Sequence, residues 1–302
     1  MPLSTPLAGI ITAIPTPVDD RGRVVHSAVV DLVNRLIAGG ATGIAPLGGT
    51  GEFTALSTSQ RMAMVEATVE ACGKRVPVIP GVIFPGLADA VEAGNAYMRA
   101  GADALMLVTP YYYRPTQNGI VDYFKRYSDS VDSELVLYEI PYRTGVELTP
   151  DAVSRLADVA RVVAMKACNR DLAQQLGVMR AAGDRMSILT GEEDVAPVHM
   201  AMGAVGGVLA TSNLLPRHWN RILRHVRDGE LPAALALHAR IKPAIDVLFA
   251  EPNPAPIKAA LNHFHDFPDS VLSPLLPASD ALKRRLPEVL EPLLADELRM
   301  KE

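Results

Sequence analysis

The feature that most constrains this chain is an alternation, repeated eight times, of a short apolar β-rich run and a longer run with apolar residues at helical spacing. The short runs are GIITAIPTPV (Gly9–Val18), GIAPLG, VPVIPGV, ADALMLVTP, ELVLYEIP, VVAMK, RMSILTG and GGVLA. Several are apolar without a break, as strands of a parallel sheet are when helices cover both faces. Helix signals fall between them. HSAVVDLVNRLIAGG stops at the glycine pair Gly39–Gly40, and STSQ places Ser57 three residues before Gln60, a capping box, with a stop at Gly73. Eight strand–helix units within residues 1–229 predict a closed (β/α)8 barrel, an α/β fold. An open doubly wound sheet is the competing arrangement, weakened because no GxGxxG follows the first strand. Residues 230–302 carry helical patterns and no strand, and predict a C-terminal helical extension packed on the barrel.

Composition narrows the class. Of 302 residues, 49% are hydrophobic and 21% charged, the balance of an ordinary soluble protein. A net charge of −5 and the lack of a basic run exclude nucleic acid as the expected partner. No apolar run approaches membrane-spanning length, and MPLSTPLAG has no leader pattern, so the expected location is the cytoplasm. The two cysteines form no metal or disulfide pattern; Cys72 reads as a small core residue, and Cys168 lies close to Lys166.

A barrel of this kind carries its chemistry at the C-terminal strand ends. Those ends hold GGTGE (Gly48–Glu52), TPYYYRP, YEIPYRTG, VVAMK and TGEED. Lys166 closes the sixth. A strand-end lysine can lift its charge into water along its own stem. Held in a buried mouth, it instead loses hydration; its pKa falls and the neutral amine can attack a ketone. Tyr138, one unit earlier, neighbours it and could move protons, although tyrosine is also a common strand residue. GGTGE offers backbone N–H groups and the Thr50 hydroxyl to an anion, or is a plain turn. Arg143 is a loop arginine able to grip a carboxylate. His263 and His265 read as surface residues rather than metal ligands. Glu192, Glu193 and Asp194 read as carboxylates favoured at a helix start rather than as a metal site. No metal and no cofactor is expected.

In order along nearly the whole chain, these segments resemble the dihydrodipicolinate synthase and N-acetylneuraminate lyase family of Schiff-base aldolases. GGTGE resembles the family's Gly-Thr-Thr-Gly-Glu loop, in which serine can replace either threonine. TPYYYRP, YEIPYRTG and VVAMKACNRD resemble its Thr-Pro-Tyr-Tyr, Tyr-Asn-Val-Pro-x-Arg-Thr-Gly and lysine-bearing segments. AEPNPAPIKAAL resembles the Glu-Pro-Asn-Pro segment of the synthase branch. The resemblance implies that Lys166 forms a Schiff base with pyruvate or another 2-keto acid, and that Tyr138 shuttles protons. It implies that Gly49, Thr50 and Gly51 hold the keto-acid carboxylate, that Gly191 and Leu209 line the pocket, and that Arg143 binds a carboxylate of the second, aldehyde substrate. It implies that Tyr112 enters a neighbouring subunit's site, so that the chain forms a tight homodimer, and a tetramer if two such dimers pair.

The pattern breaks in two places. Gly49 stands where the family carries a hydroxyl that links its catalytic tyrosines; water or Tyr113 would have to complete the relay. Glu139 stands where the family has asparagine, and strand alternation turns it away from Tyr138. Thr58, Arg61, Pro85 and Asp89 fall at the lysine-feedback site of the synthases and predict weak or no inhibition by lysine. Three functions are therefore weighed. Arg143 and Glu-Pro-Asn-Pro favour a synthase joining pyruvate to aspartate semialdehyde. Gly49, Glu139 and the altered lysine-feedback site favour a 2-keto-3-deoxy sugar acid aldolase or dehydratase. A non-catalytic binding barrel is disfavoured by the presence of both Lys166 and Tyr138.

Overall fold

The computed structural model describes residue 3, residues 5–159 and residues 161–300. Eight parallel strands run β1 (Gly9–Ala13), β2 (Gly43–Ala45), β3 (Gly81–Val82), β4 (Leu105–Val108), β5 (Leu135–Glu139), β6 (Val162–Ala167), β7 (Ser187–Thr190) and β8 (Gly206–Leu209). The ladder is continuous in the order β2-β1-β8-β7-β6-β5-β4-β3. The last gap, between β2 and β3, is bridged at Ile44 and Val78, so the sheet curls into a barrel. Two expected strands are shorter than their apolar runs. Pro15 and Pro17 follow β1, and Pro77 and Pro80 flank the bridge residue Val78; a proline has no N–H to give a ladder. Alternate residues still bond across the gap, Ile44 N to Pro77 O (3.0 Å) and Ile79 N to Ile44 O (2.9 Å).

The helices are α1 (His26–Ala38), α2 (Thr58–Cys72), α3 (Leu87–Arg99), α4 (Gln117–Ser130), α5 (Pro141–Thr144), α6 (Pro150–Ala157), α7 (Leu172–Ala182), α8 (Ala196–Ala201), α9 (Pro216–Arg227), α10 (Leu231–Leu248), α11 (Ala255–His265) and α12 (Asp280–Arg299). The capping box before α2 forms both reciprocal bonds, and Gly73 ends that helix in the left-handed region at φ +52°. Cys72, its last residue, is buried, and desolvation pushes its thiol up to about 12. One helix was not expected. PYRT in the loop after β5 forms the single turn α5, started by Pro141 and closed by Gly145 at φ +67°.

Side chains divide by strand alternation into two cores. Ile11, Met106, Val136, Ala164, Leu189 and Val208 fill the barrel interior. Ile10, Leu105, Leu137, Met165, Ile188 and Leu209 face the helices. The helices α10 to α12 follow the eighth barrel helix, α9. Their anchors are polar as well as apolar: buried His218 of α9 is paired with Glu297 of α12, and His238 Nε2 of α10 lies 2.8 Å from the carbonyl of Glu193.

Candidate active site

The same alternation that fills the interior lifts Lys166 and Tyr138 to its upper end. Ala164, Lys166 and Cys168 take successive inward positions on and just beyond β6, and Val136 and Tyr138 do so on β5. Tyr138 and Lys166 are direct partners in the β5–β6 register. Lys166 Nζ lies 4.6 Å from the centre of the Tyr138 ring, and both side chains are buried. Burial pushes the Tyr138 phenol up, opposed by the Lys166 charge. The lowered lysine pKa expected of a buried strand end is not found. Desolvation does pull Lys166 down, but Tyr138, Cys168 and Glu193 facing it outweigh that and hold the pKa above the ordinary lysine value.

Glycines shape the floor. A Cβ on Gly191 would stand 2.2 Å from Cys168 Sγ and 2.8 Å from Lys166 Cε, so the lysine stem runs through the space a side chain would need. A Cβ on Gly51 would meet the Leu47 backbone N at 2.6 Å. The GGTGE loop doubles back on itself, with Glu52 in the left-handed region at φ +57°. Gly51 N and Glu52 N are spent inside the turn, on Gly48 O (3.1 Å) and Gly49 O (3.3 Å). The N–H groups of Gly49 and Thr50 have no acceptor among the described residues, so the anion-holding part of the loop is narrower than the motif implies. Thr50 is buried, and its hydroxyl accepts from Asn253 Nδ2 at 2.9 Å.

A small cavity of about 50 Å³ joins Thr50, Tyr138, Lys166, Gly191 and Asn253. It shares Gly49, Arg143 and Asn253 with a neighbouring chamber of about 300 Å³ that also touches Phe53, Ile83 and Tyr111. Arg143, on α5 rather than in an open loop, also borders a third space of about 430 Å³ beside Tyr142 and Arg170. Three expectations change. Leu209 packs among the helix-facing residues, and its neighbours Val208 and Ala210 line the cavity instead, because strand neighbours point to opposite faces. The acidic run before α8 does more than sit at a helix start. Glu192 pairs with Arg170 Nε at 2.6 Å, and Glu193 accepts from Ala210 N (2.8 Å) and Thr211 N (3.2 Å) while lining the cavity. Glu139 does turn away from Tyr138, yet it reaches no water: its carboxylate accepts from Leu148 N at 2.9 Å, and burial raises its pKa to about 7. Tyr112 lies outside its own chain's cavity, 85% exposed and strained at φ +74°, edge-on to Tyr113 at 5.4 Å. His263 and His265 are exposed.

Asn253 and Cys168 are site residues that residue-by-residue reading left without a role. Asn253 belongs to the Glu-Pro-Asn-Pro segment, and Cys168 stands two residues after Lys166 and so on its face; both signals were present.

A parallel barrel with a buried lysine and tyrosine paired at the C-terminal strand ends defines an enzyme of the lysine Schiff-base class. The chain belongs to the Dihydrodipicolinate synthetase family, whose profile matches residues 6–293. It is 37% identical over 292 residues to the 4-hydroxy-tetrahydrodipicolinate synthase of Sorangium cellulosum, covering 96% of this chain and 97% of that one. Solved structures agree. The 4-hydroxy-tetrahydrodipicolinate synthase of Methylacidiphilum fumariolicum superposes with a TM-score of 0.91 at 30% identity, covering 97% of each chain. The chloride-inhibited dihydrodipicolinate synthase of Acinetobacter baumannii, solved with pyruvate, gives 0.90 at 30% identity over 95% of this chain and 98% of that one.

Proposed function

We propose that this protein is a 4-hydroxy-tetrahydrodipicolinate synthase, a lyase that condenses pyruvate with L-aspartate semialdehyde through a Schiff base on Lys166. The observation that carries the reading is the Lys166–Tyr138 register pair at the top of a filled barrel. Lys166 loses a proton and its amine attacks the ketone carbon. Tyr138 supplies the proton with which the carbinolamine hydroxyl departs as water, leaving an imine. The protonated imine draws electrons from the adjacent methyl group, which gives up a proton to become an enamine carbon. That carbon attacks the aldehyde, and the aldehyde oxygen takes a proton. The Thr50 hydroxyl, with the N–H groups of Gly49 and Thr50, holds the keto-acid carboxylate, Gly51 lets the loop turn tightly there, and Gly191 leaves room for the lysine stem. Arg143 offers the aldehyde substrate a planar pair of donors for its carboxylate.

The reading includes a cytoplasmic homo-oligomer, a tight dimer paired into a tetramer. Exposed Tyr112 and Tyr113, one of them on strained backbone, support a second copy covering that corner. Among the described residues, no helix is long and apolar enough to cross a membrane. Lysine feedback is weak or absent; Arg61, at the position concerned, spends its guanidinium on the carbonyl of Leu56 (2.8 Å) and on the rings of Phe53 and Phe84.

The test is condensation of pyruvate with aspartate semialdehyde, followed through a coupled nicotinamide-dependent reductase. Turnover that disappears in Lys166→Ala supports the reading. No turnover, with pyruvate still trapped on Lys166 by borohydride, moves the assignment to a 2-keto-3-deoxy sugar acid aldolase or dehydratase, which Gly49 favours.

A further inference from the structure

Gly49 leaves a space that another residue of the site has taken. A Cβ at position 49 would stand 2.4 Å from Arg143 Nη1 and 3.3 Å from Arg143 Cζ. The guanidinium therefore occupies the volume where a side chain at 49 would lie. Its seat is built by local chain geometry. Ile140 O accepts from Arg143 N at 3.0 Å and from the Thr144 hydroxyl at 3.0 Å, and Gly145 closes the turn. Arg143 is exposed at the mouth, and among the described residues no carboxylate pairs with it; the nearby Glu192 is taken by Arg170. Burial dominates at Tyr138 and raises its phenol; the Arg143 charge opposes that less strongly than Lys166 does, and at Lys166 it adds to the desolvation that opposes the ammonium.

We propose that Gly49 and Arg143 work as a pair, the absent side chain of one seating the guanidinium of the other so that it positions Tyr138 electrostatically for imine formation, before any second substrate arrives. The proposal rests on the Schiff-base reading of Lys166 and deepens it. A guanidinium stays protonated and so cannot pass a proton along as a hydroxyl does. It can stabilise the charge that appears when Tyr138 gives up its own. In that step the Tyr138 O–H bond breaks, the carbinolamine C–O bond breaks and water leaves. The nitrogen lone pair closes the C=N bond, so the positive iminium and the negative phenolate form together. A fixed cation at the rim lowers the energy of that phenolate, to an extent that water screens because the guanidinium is exposed while Tyr138 is buried. It also favours the neutral amine needed one step earlier. The groups around Tyr138 are Lys166 on β6 and Cys168 just after it, Arg143 and Tyr142 on α5, and, facing Lys166, Glu193.

The experiment measures the rate at which pyruvate alone is trapped on Lys166 by cyanoborohydride, read by intact mass across a pH series. It uses the wild-type protein, R143Q, R143K and G49T, with thermal unfolding recorded for each. R143Q is expected to slow trapping by about threefold to fivefold, the scale of losing one charge exposed to water, and to move the rate profile to higher pH. R143K should recover part of both, and G49T, which evicts the guanidinium, should behave like R143Q without a change in melting. An unchanged trapping rate and profile in R143Q, with only the KM for the aldehyde raised, would overturn the proposal. So would a wild-type profile in G49T. No trapping in the wild-type protein would instead remove the Lys166 reading on which the proposal stands.

Discussion

Lys258 and Glu52 form an ion pair from which water is excluded on both sides, joining the strand-end loop of β2 to helix α11 across about two-thirds of the chain. Neither charge stands alone. Glu52 also accepts from Leu272 N at 2.7 Å, and Lys258 donates to Ser270 O at 2.6 Å. Asn253 reaches Thr50 from the same C-terminal region. The C-terminal helices thus hold the loop that carries Gly49 and Thr50, as well as covering apolar surface.

Breaking that pair from one side leaves a buried charge. Lys258→Met is expected to cost about 3–5 kcal/mol of stability, measured by urea unfolding, because the Glu52 carboxylate stays buried without its cation. Adding Glu52→Gln to the same protein should return most of the loss. A single variant as stable as the parent would show that the pair is not what ties the loop.

Glu139 sets a pH dependence with an unusual sign. Its carboxyl titrates at about 7 in the folded chain, against an ordinary value of 4.5. Between those values the folded state binds the extra proton, so stability is lost as pH rises through that window and levels off above it. A shift of this size corresponds to a penalty of at most about 3 kcal/mol. Glu139→Gln keeps an acceptor for Leu148 N and removes the ionisation. Its melting temperature should exceed the parent's near pH 8 and match it near pH 5. Equal differences at both pH values would contradict this.

Gly191 is where the lysine stem passes. Gly191→Ala should abolish most pyruvate trapping, because the new methyl group meets Cys168 Sγ and Lys166 Cε together. Cys168→Ala alone should keep activity. Combined with Gly191→Ala it should recover only part of it, since the lysine contact remains. Full recovery would mean that only the sulfur was in the way.

Tyr138→Phe tests the phenol with the ring kept in place. Turnover should fall by about 10²–10⁴, the range for removing one positioned proton-transfer group, while the melting temperature stays near the parent's. A loss below about tenfold would pass the proton shuttle to another group.

Much of this protein could be read along the chain, because local chemistry decides it. Eight apolar runs between capped helical runs can bury their surface in few ways, and the closed barrel is one. Strand alternation alone puts Tyr138 and Lys166 on the inner face and Glu139 on the outer one. It also assigns Val208 and Leu209 to opposite faces, without saying which of the two lines the pocket. The chain order carried no sign of what distant segments bring. Glu193 reads as a helix-start carboxylate until β8 delivers the N–H groups of Ala210 and Thr211 to it. The upward pull on Lys166 comes from side chains on β5, after β6 and ahead of α8, converging on one buried amine. Gly49 reads as a lost hydroxyl, and only the folded turn α5 shows Arg143 lying in its place. Periodicity is a property of neighbouring residues and survives in the sequence. Charge and volume inside the barrel are shared among segments that only the closed sheet brings together.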